Sequence, residues 1–99
     1  MIEIERHNDG ITIKGHANYA PIGQDIVCAG VSTLIQTLIQ SIEDMTEDNI
    51  EYSMQSGLVD IRYGDLSANA QLLVNSFFVG IDLIANTYPT CVRIVQACN

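Results

Sequence analysis

Twice along this chain a pair of alternating strands is followed by a stretch of helical period, and that repeated β-β-α order leaves few ways to fold. In the first unit Ile2 and Ile4 alternate with Glu3 and Glu5, and Ile11 and Ile13 alternate with Thr12 and Lys14. Period two is the mark of a strand with one buried face. Asn8-Asp9-Gly10 between them tolerates positive φ and predicts a hairpin turn. From Asp25 to about Glu43 the period becomes helical. Val31, Leu34, Ile35, Leu38, Ile39 and Ile42 recur at three- and four-residue spacings and form one apolar stripe. Asp25 is the natural N-cap, which would put Cys28 at the third helical position.

The second unit repeats the order. Ile50, Tyr52 and Met54 alternate with Glu51, Ser53 and Gln55, Ser56-Gly57 makes the turn, and Val59, Ile61 and Tyr63 alternate with Asp60 and Arg62. A helix is predicted from about Ser67 to Thr87, stopping before Pro89 because the residue preceding proline avoids the α region. Its main stripe is Ala70, Val74, Phe77, Phe78, Ile81 and Ile84, while Leu72, Val79 and Leu83 add apolar surface on another side. A helix apolar on two sides needs two neighbours, so a homodimer through this second helix is expected. Cys91-Val92-Arg93-Ile94-Val95 reads as a last strand. The order β-β-α-β-β-α-β gives an α+β, two-layer fold: an antiparallel or mixed sheet with two helices packed on it. Residues 1–99 form a single domain with no interdomain linker.

Composition excludes several function classes. With 4 Lys and Arg against 12 Asp and Glu, the net charge is −8. That is the wrong sign for direct nucleic-acid binding, which needs cations to displace phosphate counterions. It suits a basic partner, as it also suits simple solubility. Met1-Ile2-Glu3-Ile4-Glu5-Arg6 is alternating and acidic, unlike a targeting segment, and no uninterrupted apolar run reaches the ~18 residues of a bilayer span. A cytoplasmic protein without a membrane partner is expected. Three cysteines, an odd number, fit reduced thiols better than a disulfide framework. Cys91 and Cys98 lack the close spacing of a zinc site, and no Walker or dinucleotide glycines are present, so neither metal nor cofactor is expected. His7 precedes the first turn and should be exposed.

One corner holds chemistry. The strand ending at Gly15-His16, the connection Ala17, Asn18, Tyr19, Ala20, Pro21, Ile22, Gly23, and the helix opening with Asp25 and Cys28 bring a histidine and a thiol to one rim. A thiolate is favoured at a helix N-terminus and beside an imidazolium. Free N–H groups near Val27, Cys28 and Ala29 would then face a developing oxyanion. Asp25 has two roles open to it, capping the helix or orienting the imidazole. Ser32, at i+4 from Cys28, shares its helical face. Strand parity alone leaves the direction of His16 open. A lone cysteine among apolar residues is also the usual pattern of core packing, and the connection is either a lid over the thiol or an ordinary strand-to-helix link.

The stretch Gly15-His16-Ala17, then Gly23, then Asp25-Ile26-Val27-Cys28-Ala29-Gly30-Val31-Ser32, resembles the Prp family of ribosomal-processing cysteine proteases. The resemblance implies a small cytoplasmic thiol endopeptidase, usually dimeric and cofactor-free. Such an enzyme removes a short N-terminal extension from large-subunit ribosomal protein twenty-seven during ribosome assembly. It further implies Cys28 as nucleophile, His16 as general base and acid, Asp25 and Ser32 in supporting or orienting positions, and Ala17 to Gly23 as a substrate loop. Two other readings stand beside it. One is a non-catalytic acidic dimer that binds a ribosomal protein or assembly factor. The other is a thiol-dependent hydrolysis or acyl transfer on a small molecule.

Overall fold

A computed structural model describes residues 1–15 and 22–96, with residues 22–25 described by backbone only. His16, Ala17, Asn18, Tyr19, Ala20 and Pro21 therefore lie outside the described residues, as does Cys98. The elements run β1 (Ile2–His7), β2 (Gly10–Lys14), α1 (Ile22–Met45), β3 (Ile50–Gln55), β4 (Leu58–Tyr63), α2 (Ala68–Thr87) and β5 (Val92–Gln96). The strands form one sheet in the order β3-β4-β2-β1-β5. Among the described residues only β1 and β5 pair in parallel, and the other three pairs are antiparallel. The sheet is thus mixed, and the fold is the α+β class expected.

Register converts the period-two pattern into two unlike faces. Ile4 stands opposite Ile13, Ile11 opposite Ile61, and Ile2 beside Val92. All six side chains are buried in one cluster with Val31, Ile35, Leu38, Ile39 and Ile42 of α1 and Val74, Phe77, Phe78 and Ile81 of α2. Close approach of the helices depends on Gly80, where an added Cβ would lie 2.9 Å from Leu34 Cδ2. The opposite face is polar. Lys14 pairs with Glu5 at 3.0 Å, Arg62 with Asp60 at 2.9 Å, and Arg93 with Glu3. The Thr12 hydroxyl donates to Asp60 at 3.1 Å, so His7 Nε2, also 3.1 Å from that oxygen, is the donor to it. His7 was expected in solvent. Its side chain is instead only 18% exposed, because the β1–β2 register turns it back over Thr12.

Ser67 caps α2 by accepting from the Ala70 N–H at 3.2 Å. Asp48 in turn accepts from the Ser67 N–H at 2.8 Å and its hydroxyl at 2.5 Å, tying the segment after α1 to the start of α2. Leu72, Val79 and Leu83 are 66%, 60% and 64% exposed, so the second apolar side of α2 faces outward. Ile26–Met45 and Ala68–Thr87, each 20 residues, contain an 18-residue window of mean hydropathy 1.4, which by length and composition is enough to cross a bilayer. Neither is an uninterrupted apolar run, since Gln36 and Gln40 break the first and Asn75 and Asp82 the second. In this fold each buries one face on the sheet, and about a third of its residues are covered.

Candidate active site

Three elements meet at the end of the sheet where β2 finishes, β4 begins and α1 enters. Gly15, the residue after β2, has φ +91°, and its N–H donates to the Gly57 carbonyl at 2.9 Å. Gly57 itself has φ +78° at the β3–β4 turn. Both are conformations that L side chains rarely adopt, and glycine adopts them freely. This contact closes one side of a cleft of about 270 Å³. Cys28, Val31 and Ser32 line it from α1, Met54, Leu58 and Val59 from the second hairpin, and Ile2 and Ile13 form its floor. Among the described residues no charged side chain lines it.

Cys28 is partly buried, packs against the core and lines the cleft. Ser32, one turn on, is exposed and lines the same cleft, as its i+4 spacing requires. Cys91 is 8% exposed and packs in the core just before β5, away from the cleft lining. Gly15, the residue before His16 in the sequence, lines the cleft. His16 itself lies outside the described residues.

Two expectations are corrected. α1 starts at Ile22, so Ile22 and Gly23 belong to the helix and the connection is shorter than Ala17 to Gly23. Asp25 therefore lies inside the first turn and is not the N-cap. Cys28 accordingly stands one turn deeper than the third position. In an α-helix only the first four N–H groups lack intrahelical acceptors. The amides of Val27, Cys28 and Ala29 are consequently engaged along the helix and are not free to bind an oxyanion. The macrodipole also fades beyond the first turn.

The second hairpin falls where the sequence predicts it, but its part in the cleft was not foreseen. Met54, Leu58 and Gly57 belong to the cleft, and they reach it through the register of β3 with β4, which no local sequence signal carries. A partly buried thiol beside an apolar cleft, on a mixed sheet backed by two helices, is the frame on which the family match falls. Residues 1–93 match the family model described as cysteine protease Prp, and the chain belongs to that family of cysteine endopeptidases. It is similar to the ribosomal processing cysteine protease Prp of Staphylococcus aureus, 30% identical over 87 residues, covering 85% of this chain and 82% of the relative. It is also similar to that of Mycoplasma genitalium, 31% identical over 93 residues, covering 90% and 89%. Among solved structures, the S. aureus protease in complex with a substrate peptide superposes with a TM-score of 0.85 at 23% identity over 97% of each chain. A Streptococcus mutans protein superposes with 0.84 at 26% identity, covering 99% of this chain and 93% of that one.

Proposed function

We propose that Cys28 is the nucleophile and His16 its general base and acid, and that the substrate is the N-terminal extension of large-subunit ribosomal protein twenty-seven. The observation that carries this reading is the single cleft onto which Cys28, Ser32 and Gly15 all open. His16 takes the thiol proton, and the thiolate attacks the scissile carbonyl to form a tetrahedral oxyanion. His16 then protonates the leaving amine, and water hydrolyses the thioester by the same route in reverse. Ser32 has its hydroxyl on the Cys28 face, within one helical turn of the sulfur, where it orients the thiol or the bound peptide.

The net charge of −8 favours a Lys- and Arg-rich ribosomal substrate over an acidic one. The names of the relatives, all ribosomal processing proteases, support the same substrate class. The enzyme works in the cytoplasm, without metal or cofactor. It works as a homodimer through α2, whose exposed Leu72, Val79 and Leu83 are the surface such a contact would cover. The test is cleavage of a peptide spanning the extension junction. Cys28→Ala and His16→Ala should each lower turnover at least ~10³-fold, as loss of a nucleophile or its base does elsewhere. His7→Ala should not. Equal turnover by Cys28→Ala would reject the reading.

A further inference from the structure

β3 ends the sheet order, and no strand pairs with its far side among the described residues. Natural sheet edges are usually blunted by proline, by lysine, by a bulge or by an inward-pointing charge. Ile50-Glu51-Tyr52-Ser53-Met54-Gln55 has no proline, no lysine and one charge. Its register with β4 runs without a bulge from Ile50 opposite Tyr63 to Gln55 opposite Leu58. Tyr52 and Met54 stand opposite Ile61 and Val59, on the core face of the sheet. They are nevertheless 47% and 48% exposed, because the helices leave this strip uncovered. Met54 is also a wall of the cleft that holds Cys28. An open backbone edge with two bulky apolar side chains therefore runs straight into the nucleophile's cleft.

We infer that the substrate adds to the β3 edge as an extra strand, seating apolar side chains at alternate positions beside Tyr52 and Met54. The inference rests on the reading of Cys28 as nucleophile and extends it to how the peptide is selected. Along β3, Tyr52 and Met54 are i and i+2, about 7 Å apart. An extended peptide presents its own i and i+2 side chains at that spacing on one side. Cross-strand neighbours of this kind interact directly, and main-chain hydrogen bonds to the edge supply affinity that is independent of sequence. Selectivity then falls on spacing: apolar-x-apolar is accepted, and adjacent or three-apart apolar residues are not. The low charge of the strip, in a chain of net charge −8, leaves basic residues elsewhere in the peptide free to be attracted.

The experiment uses the Cys28→Ala chain, so that binding is read without cleavage. Fluorescein-labelled decapeptides of Gly and Ser, with Lys at both ends, carry two Leu residues at i,i+1, at i,i+2 or at i,i+3. Anisotropy should show the i,i+2 peptide binding about tenfold tighter than the other two. Tyr52→Ser and Met54→Ser, checked for folding by circular dichroism, should each remove that preference. N-methylation of alternate amides of the i,i+2 peptide should weaken it at least about tenfold, which a side-chain contact alone would not do. Equal affinity for the three spacings, or indifference to N-methylation, overturns the inference. So does a Tyr52→Ser chain that changes only self-association, which would give the edge to a second copy. Cleavage of the extension-junction peptide by the unmodified chain, with Cys28→Ala as control, is scored separately. Spacing-selective binding without Cys28-dependent cleavage keeps the strand pairing and rejects the nucleophile. Cys28-dependent cleavage without spacing preference does the reverse.

Discussion

The N–H of Gly15 donates to the carbonyl of Gly57 at 2.9 Å, joining the end of β2 to the β3–β4 turn across the mouth of the cleft. Gly15 sits at φ +91°, and a Cβ there would lie 2.3 Å from the Met1 carbonyl oxygen. Gly15→Ala should therefore destabilise the fold by at least about 2 kcal/mol, combining left-handed strain with a backbone clash. Gly64→Ala is the control, since nothing lies within 4 Å of its Cβ, and it should stay within about 0.5 kcal/mol. Urea midpoints at constant m-value measure both.

The Asp48–Ser67 clamp makes a prediction about acid. Hydrogen bonds from the Ser67 hydroxyl, then from its N–H, hold the Asp48 carboxyl below its usual range. Its folded pKa is therefore lower than its unfolded one. The stability it adds is fully present above the unfolded value near 3.8 and is lost as pH falls through the folded value. Asp48→Asn should flatten the acid limb of a stability–pH curve below about pH 5 and leave the slope at neutral pH unchanged. Ser67→Ala removes the α2 cap and the donor together, and should cost about 1 kcal/mol at pH 7.

At the centre of the sheet, Ile61 is fully buried opposite Ile11 and packs under the helices. Ile61→Ala should lower stability by about 2–5 kcal/mol, the transfer cost of the lost groups plus the cavity left behind. Ile61→Val should cost about 0.5–1.5 kcal/mol. A thermal melt distinguishes the two.

Val79 and Leu83 lie on the outward face of α2, 60% and 64% exposed. If that face joins two copies, Val79→Glu with Leu83→Glu should raise the dimer Kd more than tenfold. Light scattering coupled to gel filtration then reads monomer at micromolar concentration. A variant pair that stays dimeric would move the interface elsewhere.

Much of the architecture was legible because local and tertiary preferences agree. The alternation of Ile2, Ile4, Ile11 and Ile13 named a core face that register then paired, and the α2 stripe from Ala70 to Ile81 is the buried one. The start of α1 was misplaced because Pro21 and Gly23 punctuate like loop residues. An Asp in the first turn is as favourable to the dipole as an Asp at the cap, so sequence does not separate the two. Sheet order was not legible either: the parallel β1–β5 pair depends on where α2 returns the chain, a long-range matter. At the site, the shared face of Cys28 and Ser32 followed from helical spacing. The second hairpin's part in the cleft did not, because Met54 and Leu58 reach it only through the sheet register.

Cys28, Cys91 and Cys98 fall into three different tryptic peptides, since the four basic residues are Arg6, Lys14, Arg62 and Arg93. Acid quenching of the enzyme during turnover of the junction peptide, followed by tryptic mass mapping, therefore identifies the acylated cysteine directly. The account predicts the mass of the substrate's N-terminal fragment, as a thioester, on the peptide spanning residues 15–62 and nowhere else. Turnover with the adduct on either other peptide, or undiminished turnover by Cys28→Ala with no adduct at all, would contradict it.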